Sequence, residues 1–292
     1  MTGDLRDVRS KTIGTLYQYL KSELTEGGVE HAAHEARLMI EKRTGLDQAV
    51  LISEPGRLVP DMQRLRILED LDLRRAGHSL HRIFGEREFW GLAFKIGPET
   101  LEPRPDTETL VSVAVDSFGS LPPRTFLDLG TGSGCILLSL LHEWQESEGF
   151  GVDLSFDALK VARENAGRLG LADRARFICG SWAEAVSGSF DLVVSNPPYI
   201  ERSVIPTLER EVAEHDPILA LDGGEDGLES YRQIFFALPS FLSGTGIALF
   251  EIGSNQEKSV MRLAEKYGLS IRKTHRDLAG RPRVVEISCG DK

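Results

Sequence analysis

The chain has 292 residues, 41% of them hydrophobic and 27% charged, and a formal net charge of −11 at pH 7. That length suits two domains, and the composition is that of a globular protein. The acidic balance argues against a protein that grips duplex DNA by its phosphates, and no apolar stretch approaches the roughly 18–20 residues that span a bilayer.

The charge is unevenly placed. Residues 1–85 carry 13 basic and 13 acidic side chains, so the whole −11 sits on the remainder. A local basic patch could still lie within an acidic protein, so this lowers the weight of a nucleic-acid partner without removing it. Met1 to Lys11 is charged and lacks the apolar core of a secretory signal. Cys135, Cys179 and Cys289 are odd in number and show no metal-ligand spacing. The expectation is a cytoplasmic protein with no disulfide framework, no metal and no membrane partner. Repeats and low-complexity tracts are not evident.

Residues 12–85 read as helices. From Thr12 to Leu24 the apolar Ile13, Leu16, Tyr17 and Leu20 recur at helical spacing. His31 to Thr44 repeats the pattern with Ala32, Ala36, Leu38, Met39 and Ile40. Pro60 and Asp61 open a third long segment to Arg75, with Leu65, Ile67, Leu68 and Leu71. Gly27-Gly28 and Gly45 mark the breaks. His31, His34, His78 and His81 read as surface or core histidines rather than ligands. A helical bundle over 1–85 has no catalytic constellation of its own.

Residues 86–105 read as extended, and the alternation about Gly91 in Arg87 to Ile96 predicts a β-hairpin linking the domains. Pro103-Arg104-Pro105-Asp106-Thr107-Glu108 follows, stiffened by two prolines. Asp106 or Thr107 is expected to cap a helix through Phe118.

Thr125-Phe126-Leu127-Asp128-Leu129 is an apolar run broken by one acid, a plausible central strand. Gly130-Thr131-Gly132-Ser133-Gly134 comes next, then the helical pattern Ile136 to Leu141. Strand, glycine turn and helix open a doubly wound unit. The glycines admit a ligand to the backbone, and the helix N-terminus favours negative charge. A dinucleotide fingerprint requires G-x-G-x-x-G; here the third glycine comes one residue early and Cys135 takes its place. The spacing instead matches the G-x-G-x-G loop of S-adenosyl-L-methionine (SAM) enzymes. Asp128 is expected to order this loop by accepting backbone N–H bonds.

A second run, Phe150-Gly151-Val152, ends in Asp153, 19 residues after Gly134. An acid there can accept from both ribose hydroxyls of a nucleoside. Capping the next helix is the plainer role, which Ser155 can fill instead. A third run, Arg176 to Cys179, ends in Gly180-Ser181-Trp182, and Trp182 is placed to pack on an adenine or to be ordinary core.

The fourth run, Phe190 to Ser195, leads into Asn196-Pro197-Pro198-Tyr199. Such dipeptides also punctuate turns. At a strand end, beside a donor loop, they suit the gripping of a planar NH₂ group. The Asn196 side-chain oxygen accepts a hydrogen bond. The Pro197 carbonyl accepts with no N–H beside it to compete, and the Tyr199 ring can wall or stack on a planar group. Beyond Tyr199 the expectations are a loop-rich, acidic stretch over 201–227, a helix Leu228–Leu242 and a strand Gly246–Ile252. A helix Asn255–Tyr267 and two strands near Ser270–Thr274 and Arg283–Ile287 complete seven strands.

These residues together resemble the bacterial HemK-type release-factor glutamine methyltransferases over nearly the whole length. The resemblance rests on Pro103 to Glu108, Leu127 to Gly134, Asp153, Asn196 to Ile200, Glu251-Ile252-Gly253 and Asp277-Leu278-Ala279-Gly280-Arg281. Glu102 departs from it, since members often carry an apolar residue there.

The resemblance implies a Rossmann-like, seven-stranded class I SAM-dependent methyltransferase domain over 106–292. A β-hairpin linker over 86–105 and a helical substrate-recognition domain over 1–85 precede it. It implies methyl transfer from SAM, with S-adenosyl-L-homocysteine as product. The acceptor is the side-chain amide of the glutamine in the Gly-Gly-Gln motif of class I peptide release factors. Asn196, Pro197 and Tyr199 are the candidate catalytic residues, and these with Pro198, Arg104 and Glu108 the candidate substrate contacts. Gly130, Thr131, Gly132, Ser133, Gly134, Asp153, Trp182 and Asn196 are the candidate contacts to SAM. Three alternatives remain: a DNA adenine N6-methyltransferase, which would flip its base out to the same grip, a ribosomal-protein glutamine methyltransferase, and a SAM-binding scaffold without turnover.

Overall fold

The structure, a computed structural model, describes residues 11–290. The charged opening segment, Lys11 apart, lies outside them. The described chain divides into two compact units, the first ending at Phe84 and the second beginning at Gly85.

The first unit is helical, as its periodicity predicts. Helix α1 (Ile13–Glu26) starts from a reciprocal cap in which Thr12 and Thr15 side chains each accept the other's backbone N–H. Helix α2 (Ala32–Thr44) ends at Gly45 in the left-handed conformation. Two short helices, α3 (Gln48–Ser53) and α5 (Leu80–Phe84), flank α4 (Asp61–Arg75). Ile13, Leu16, Leu20 and Leu24 meet Ala36, Met39, Ile40, Ile67 and Leu71 in one core. Leu65, grouped with that face by its spacing, is instead half exposed. Bidentate pairs of Arg43 with Asp70 and of Arg74 with Glu35 pin α2 to α4.

The second unit opens with the hairpin β1 (Glu86–Phe89) and β2 (Leu92–Lys95). Its two-residue turn, Trp90-Gly91, has both φ positive (53° and 68°), the twist that suits antiparallel strands. Phe89 and Phe94 bury into the same core as the sheet, so the hairpin packs as part of this unit. A 3-10 turn, Pro105–Thr107, then runs into α6 (Glu108–Phe118). Neither Asp106 nor Thr107 caps this helix, contrary to expectation. Thr107 already has helical dihedrals, and both side chains are drawn to residues far along the chain.

The rest is β3 (Thr125–Leu129), α7 (Cys135–Glu143), β4 (Glu148–Asp153), α8 (Phe156–Arg168), β5 (Ala175–Cys179) and β6 (Phe190–Ser195), with a 3-10 turn at Trp182–Ala185. The loop-rich stretch holds a 3-10 turn (Ile205–Thr207) and short helices α9 (Arg210–His215) and α10 (Ile218–Leu221). Helix α11 (Glu229–Ala237) is shorter than its apolar pattern suggests. Pro239 sits in a closing 3-10 turn, and β7 (Leu242–Glu251) takes over four residues before Gly246. Helix α12 (Glu257–Lys266) and the hairpin β8 (Leu269–Arg276) and β9 (Pro282–Cys289) complete the chain.

Seven strands form one sheet in the order β5-β4-β3-β6-β7-β9-β8. The first five are parallel, and β9 runs antiparallel to both neighbours. Alternate residues of β3 feed two cores: Phe126 packs with α6 and α7, and Leu127 and Leu129 pack with α11 and α12. A sheet covered on both faces explains the predominantly apolar runs Phe126–Leu129, Leu192–Val194 and Ile247–Phe250 of β3, β6 and β7. Strand order reverses between β3 and β6, so the carboxyl ends of those strands flank the crevice where such sheets bind ligands. No described helix is long and apolar enough to cross a membrane.

Candidate active site

At that crevice lies a cavity of about 410 Å³. Gly130, Gly132, Asp153 and Trp182 line one part and Asn196 and Pro198 another, with Arg202, Pro217 and Leu219 from the segment after β6.

The glycine loop is built to expose backbone. Gly130 N and Thr131 N both donate to Val152 O, and Asp153 Oδ2 accepts from Gly132 N at 2.8 Å. Gly130 has φ +75°, and a Cβ there would lie 3.5 Å from the Trp182 ring, filling the space beside it. Thr131, Ser133 and Gly134 form the loop but not the cavity lining. Thr131 and Ser133 are buried, and Gly134 packs on Leu138 and Ala162. Asp128 orders the loop chiefly through a side chain rather than through backbone N–H groups as expected: its Oδ2 accepts from Thr131 Oγ1 at 2.7 Å. Burial raises the Asp128 carboxyl to about 7.

Asp153 ends β4 with Oδ1 accepting from Ser155 N at 2.8 Å, and burial raises its pKa. Ser155, not Asp153, caps α8, accepting from Ala158 N. Each Asp153 oxygen therefore keeps a lone pair for another donor. Trp182 sits over the loop with φ 43°. Exposed glycine backbone, a carboxylate with spare acceptor capacity and a ring alongside fit the nucleoside of SAM. Gly130, Gly132, Asp153 and Trp182 are the residues that would hold it.

Serine 195 donates its hydroxyl to Leu129 O at 2.6 Å, locking the end of β6 to that of β3. Asn196 Nδ2 donates to Thr107 Oγ1 at 3.2 Å. Pro197 is buried. Pro198 rather than Tyr199 lines the cavity: the Tyr199 ring packs on the inner core and its hydroxyl donates to Glu251 Oε1 at 3.4 Å. Gln256 Nε2 donates to Tyr199 O at 2.9 Å, fixing the backbone.

Arg104 Nη2 is bonded to the buried Asp216 at 2.7 Å, while its side chain stays 41% exposed and open to a further partner. Glu108 lies outside the cavity lining and accepts from Trp90 N at 2.8 Å, holding the hairpin turn. Asp106 pairs at 2.7 Å with Arg283, which also meets Asp277 at 3.1 Å, so two of the family-like motifs join through β9. Asn165 of α8 ties Lys95 of the hairpin to Ser133 of the loop. Sequence reasoning missed Arg283, Asp216, Asn165 and Gln256. Only Glu251 left a signal, as an acid closing the apolar run Ile247 to Phe250.

Residues 107–223 match the methyltransferase small domain family and residues 15–85 the PrmC N-terminal domain. The catalytic domain of hMettl16, solved with an RNA hairpin, shares the fold at a TM-score of 0.53 and 18% identity, over 80% of this chain and 84% of that one. A methyltransferase from Pyrococcus furiosus does so at 0.50 and 17%, over 78% and 98%. The release factor glutamine methyltransferase of Bradyrhizobium diazoefficiens is 43% identical over 94% of each chain. That of Agrobacterium fabrum is 40% identical over 91% of this chain and 93% of its own. That of Vibrio cholerae is 37% identical over 94% and 96%. With its fold, its loop and its strand-end tetrapeptide all in place, this chain belongs to the release factor glutamine methyltransferase family.

Proposed function

We propose that this protein transfers a methyl group from SAM to the side-chain amide nitrogen of the glutamine in the Gly-Gly-Gln motif of class I peptide release factors, in the cytoplasm. The observation carrying this reading is one continuous cavity with Asp153 and the glycine loop at one part and Asn196 at another. The substrate class is supported by relatives named release factor glutamine methyltransferases, which match more than nine-tenths of the chain.

An amide nitrogen is a poor nucleophile because its lone pair is delocalised into the carbonyl. Asn196 Oδ1 and the Pro197 carbonyl accept the two amide hydrogens, which orients the nitrogen and draws electron density onto it. Pro198 shapes the wall beside the planar amide, and the Tyr199 ring backs the tetrapeptide from the inner core. Arg104 and Glu108 lie on the segment leading to the acceptor side and are proposed to meet the release factor. SAM, when bound, supplies an electrophilic methyl carbon on a sulfonium centre. The protein's contribution is alignment and a dry surface that favours loss of charge from that centre. No general base is required beforehand, since the nitrogen becomes acidic only as it is alkylated. The helical unit is proposed to hold the release factor.

The test is mass spectrometry of a purified class I release factor incubated with this protein and SAM. A gain of one methyl group, about 14 Da by composition, on the Gly-Gly-Gln glutamine is expected. No gain, with SAM binding confirmed by calorimetry, overturns the assignment and turns the search to the ribosomal protein and then to DNA.

A further inference from the structure

The cavity is lined by more acid than base: Glu99, Asp153, Asp222 and Glu229 stand against Arg202. Three of these acids are already engaged. Asp222 receives Arg202 Nε at 2.9 Å and Gly224 N at 2.8 Å. Glu229 meets Arg232 at 3.2 Å, and Asp153 receives Gly132 N and Ser155 N. Glu99 is not engaged. It is half-buried and makes no hydrogen bond or ion pair among the described residues.

The segment that carries Glu99 is nonetheless fixed. Gly97 N donates to Thr100 Oγ1 at 3.1 Å and Thr100 N to Gly97 O at 3.1 Å, closing a tight turn around Pro98 and Glu99. The Glu99 carboxylate lies back against Gly97, where a Cβ would stand 2.7 Å from Oε1, so the missing side chain makes its room. Just before the turn, Asn165 holds Lys95 through both backbone groups and reaches Ser133 O at 2.9 Å. The turn therefore hangs from the same asparagine that steadies the glycine loop, and Glu99 enters the cavity from that side.

A carboxylate that has given up part of its water without gaining a partner is a ready acceptor for a cation. SAM carries two positive centres. The sulfonium has to face the acceptor amide, at the part lined by Asn196 and Pro198. The ammonium lies at the far end of the methionine tail, next to the tail carboxylate, and a glycine loop opening a helix suits that carboxylate. The ammonium brings three donors and no acceptor, so it needs an acceptor from the protein. We propose that Glu99 is a cofactor-binding residue that accepts a hydrogen bond from the α-ammonium of the SAM methionine tail and balances its charge. The inference rests on the reading of this cavity as the SAM site. On it, the donor meets one acid at its ribose, Asp153, and a second at its tail, Glu99.

The test is calorimetry of Glu99→Gln and Glu99→Ala with ligands that differ in the tail. S-adenosyl-L-homocysteine keeps the ammonium; methylthioadenosine has the same nucleoside and sulfur but neither ammonium nor tail carboxylate. Glutamine keeps the shape of the side chain and loses its charge. The Kd for S-adenosyl-L-homocysteine should rise about 10-fold in Glu99→Gln and about 10- to 100-fold in Glu99→Ala, the scale of a charge-assisted hydrogen bond. The Kd for SAM should rise in step, and that for methylthioadenosine should move less than about twofold, since it makes no such bond. Added salt should weaken S-adenosyl-L-homocysteine binding more in the wild type than in Glu99→Gln, because a half-exposed charge pair is screened. Equal losses for S-adenosyl-L-homocysteine and methylthioadenosine mean that Glu99 only shapes the turn, and they overturn the inference. A loss confined to SAM makes the sulfonium the partner and overturns it as well, as does unchanged S-adenosyl-L-homocysteine binding in both variants. Wild-type protein that binds neither SAM nor S-adenosyl-L-homocysteine overturns the SAM-site reading, and the inference with it.

Discussion

Asn196 and Asp153 divide the chemistry between two residues whose losses should be separable. Asn196 spends its NH₂ on Thr107 and has its oxygen left for the acceptor. Asn196→Ala removes one of two acceptors aimed at the reacting amide. Turnover should drop on the order of 10³-fold, as when a transition-state hydrogen bond is deleted, with SAM Kd changed less than about threefold by calorimetry. Near-normal turnover, or lost SAM binding, would contradict this role. Asp153 is the converse case. Its two oxygens accept from Gly132 N and Ser155 N, so they must both remain acceptors. Asp153→Asn turns an NH₂ toward one of those N–H groups, leaving a donor facing a donor at a cost of about 1–3 kcal/mol. SAM affinity should weaken about 10- to 100-fold. Tyr199→Phe loses only the bond to Glu251, whereas Tyr199→Ala also loses the packed ring, so alanine should be the slower enzyme of the two.

The tetrapeptide is held by the element that follows it as much as by the strand that precedes it. Ile200 N donates to Leu221 O, and Gly223 N returns a bond to Ile200 O, so the acidic stretch folds back along the tetrapeptide. Gly227 closes this contact with φ +72°; a Cβ there would overlap Tyr199 O and lie 2.6 Å from Gln256 Nε2. Gly227→Ala therefore combines left-handed strain with a backbone clash and should cost about 2–4 kcal/mol. In a urea titration the midpoint should fall, and kcat should fall with it because Tyr199 is displaced. An unchanged kcat would mean that this segment does not set the tetrapeptide's position. The inner strands were legible because a sheet covered on both faces writes itself as apolar runs, as in Leu192-Val193-Val194, and Ser195-Asn196 marks the end of that run by switching to polar residues. The short α3, α5, α9 and α10 were not, since four to six residues show too little periodicity to separate from loop. The partners of the site residues were illegible for another reason. Thr107 meets Asn196, and Tyr199 meets Glu251, across segments far apart in the chain, and only the tertiary fold brings them together.

Across the whole molecule, the buried acids of the sheet make stability depend on pH. Asp128 and Glu251 titrate at about 7, both raised by burial. In the unfolded chain such groups titrate near 4. Between about pH 4 and 7 the folded protein therefore holds protons that the unfolded chain has released. Stability from this source is complete below about pH 4 and is lost as pH rises through about 7. Each group can contribute on the order of 4 kcal/mol at most. Asp222, held low by Arg202, Asp226, held low by Arg232, and Asp277, held low chiefly by the Arg281 N–H, act in the opposite sense. Their stabilisation is lost only as pH falls below the usual carboxylate range. Chemical denaturation followed from pH 5 to pH 8 should accordingly show a falling midpoint. Asp128→Asn and Glu251→Gln should each flatten part of that slope, because neither amide titrates. A midpoint that is level between pH 5 and 8 in the wild type would show that these carboxyls are already ionised in the fold.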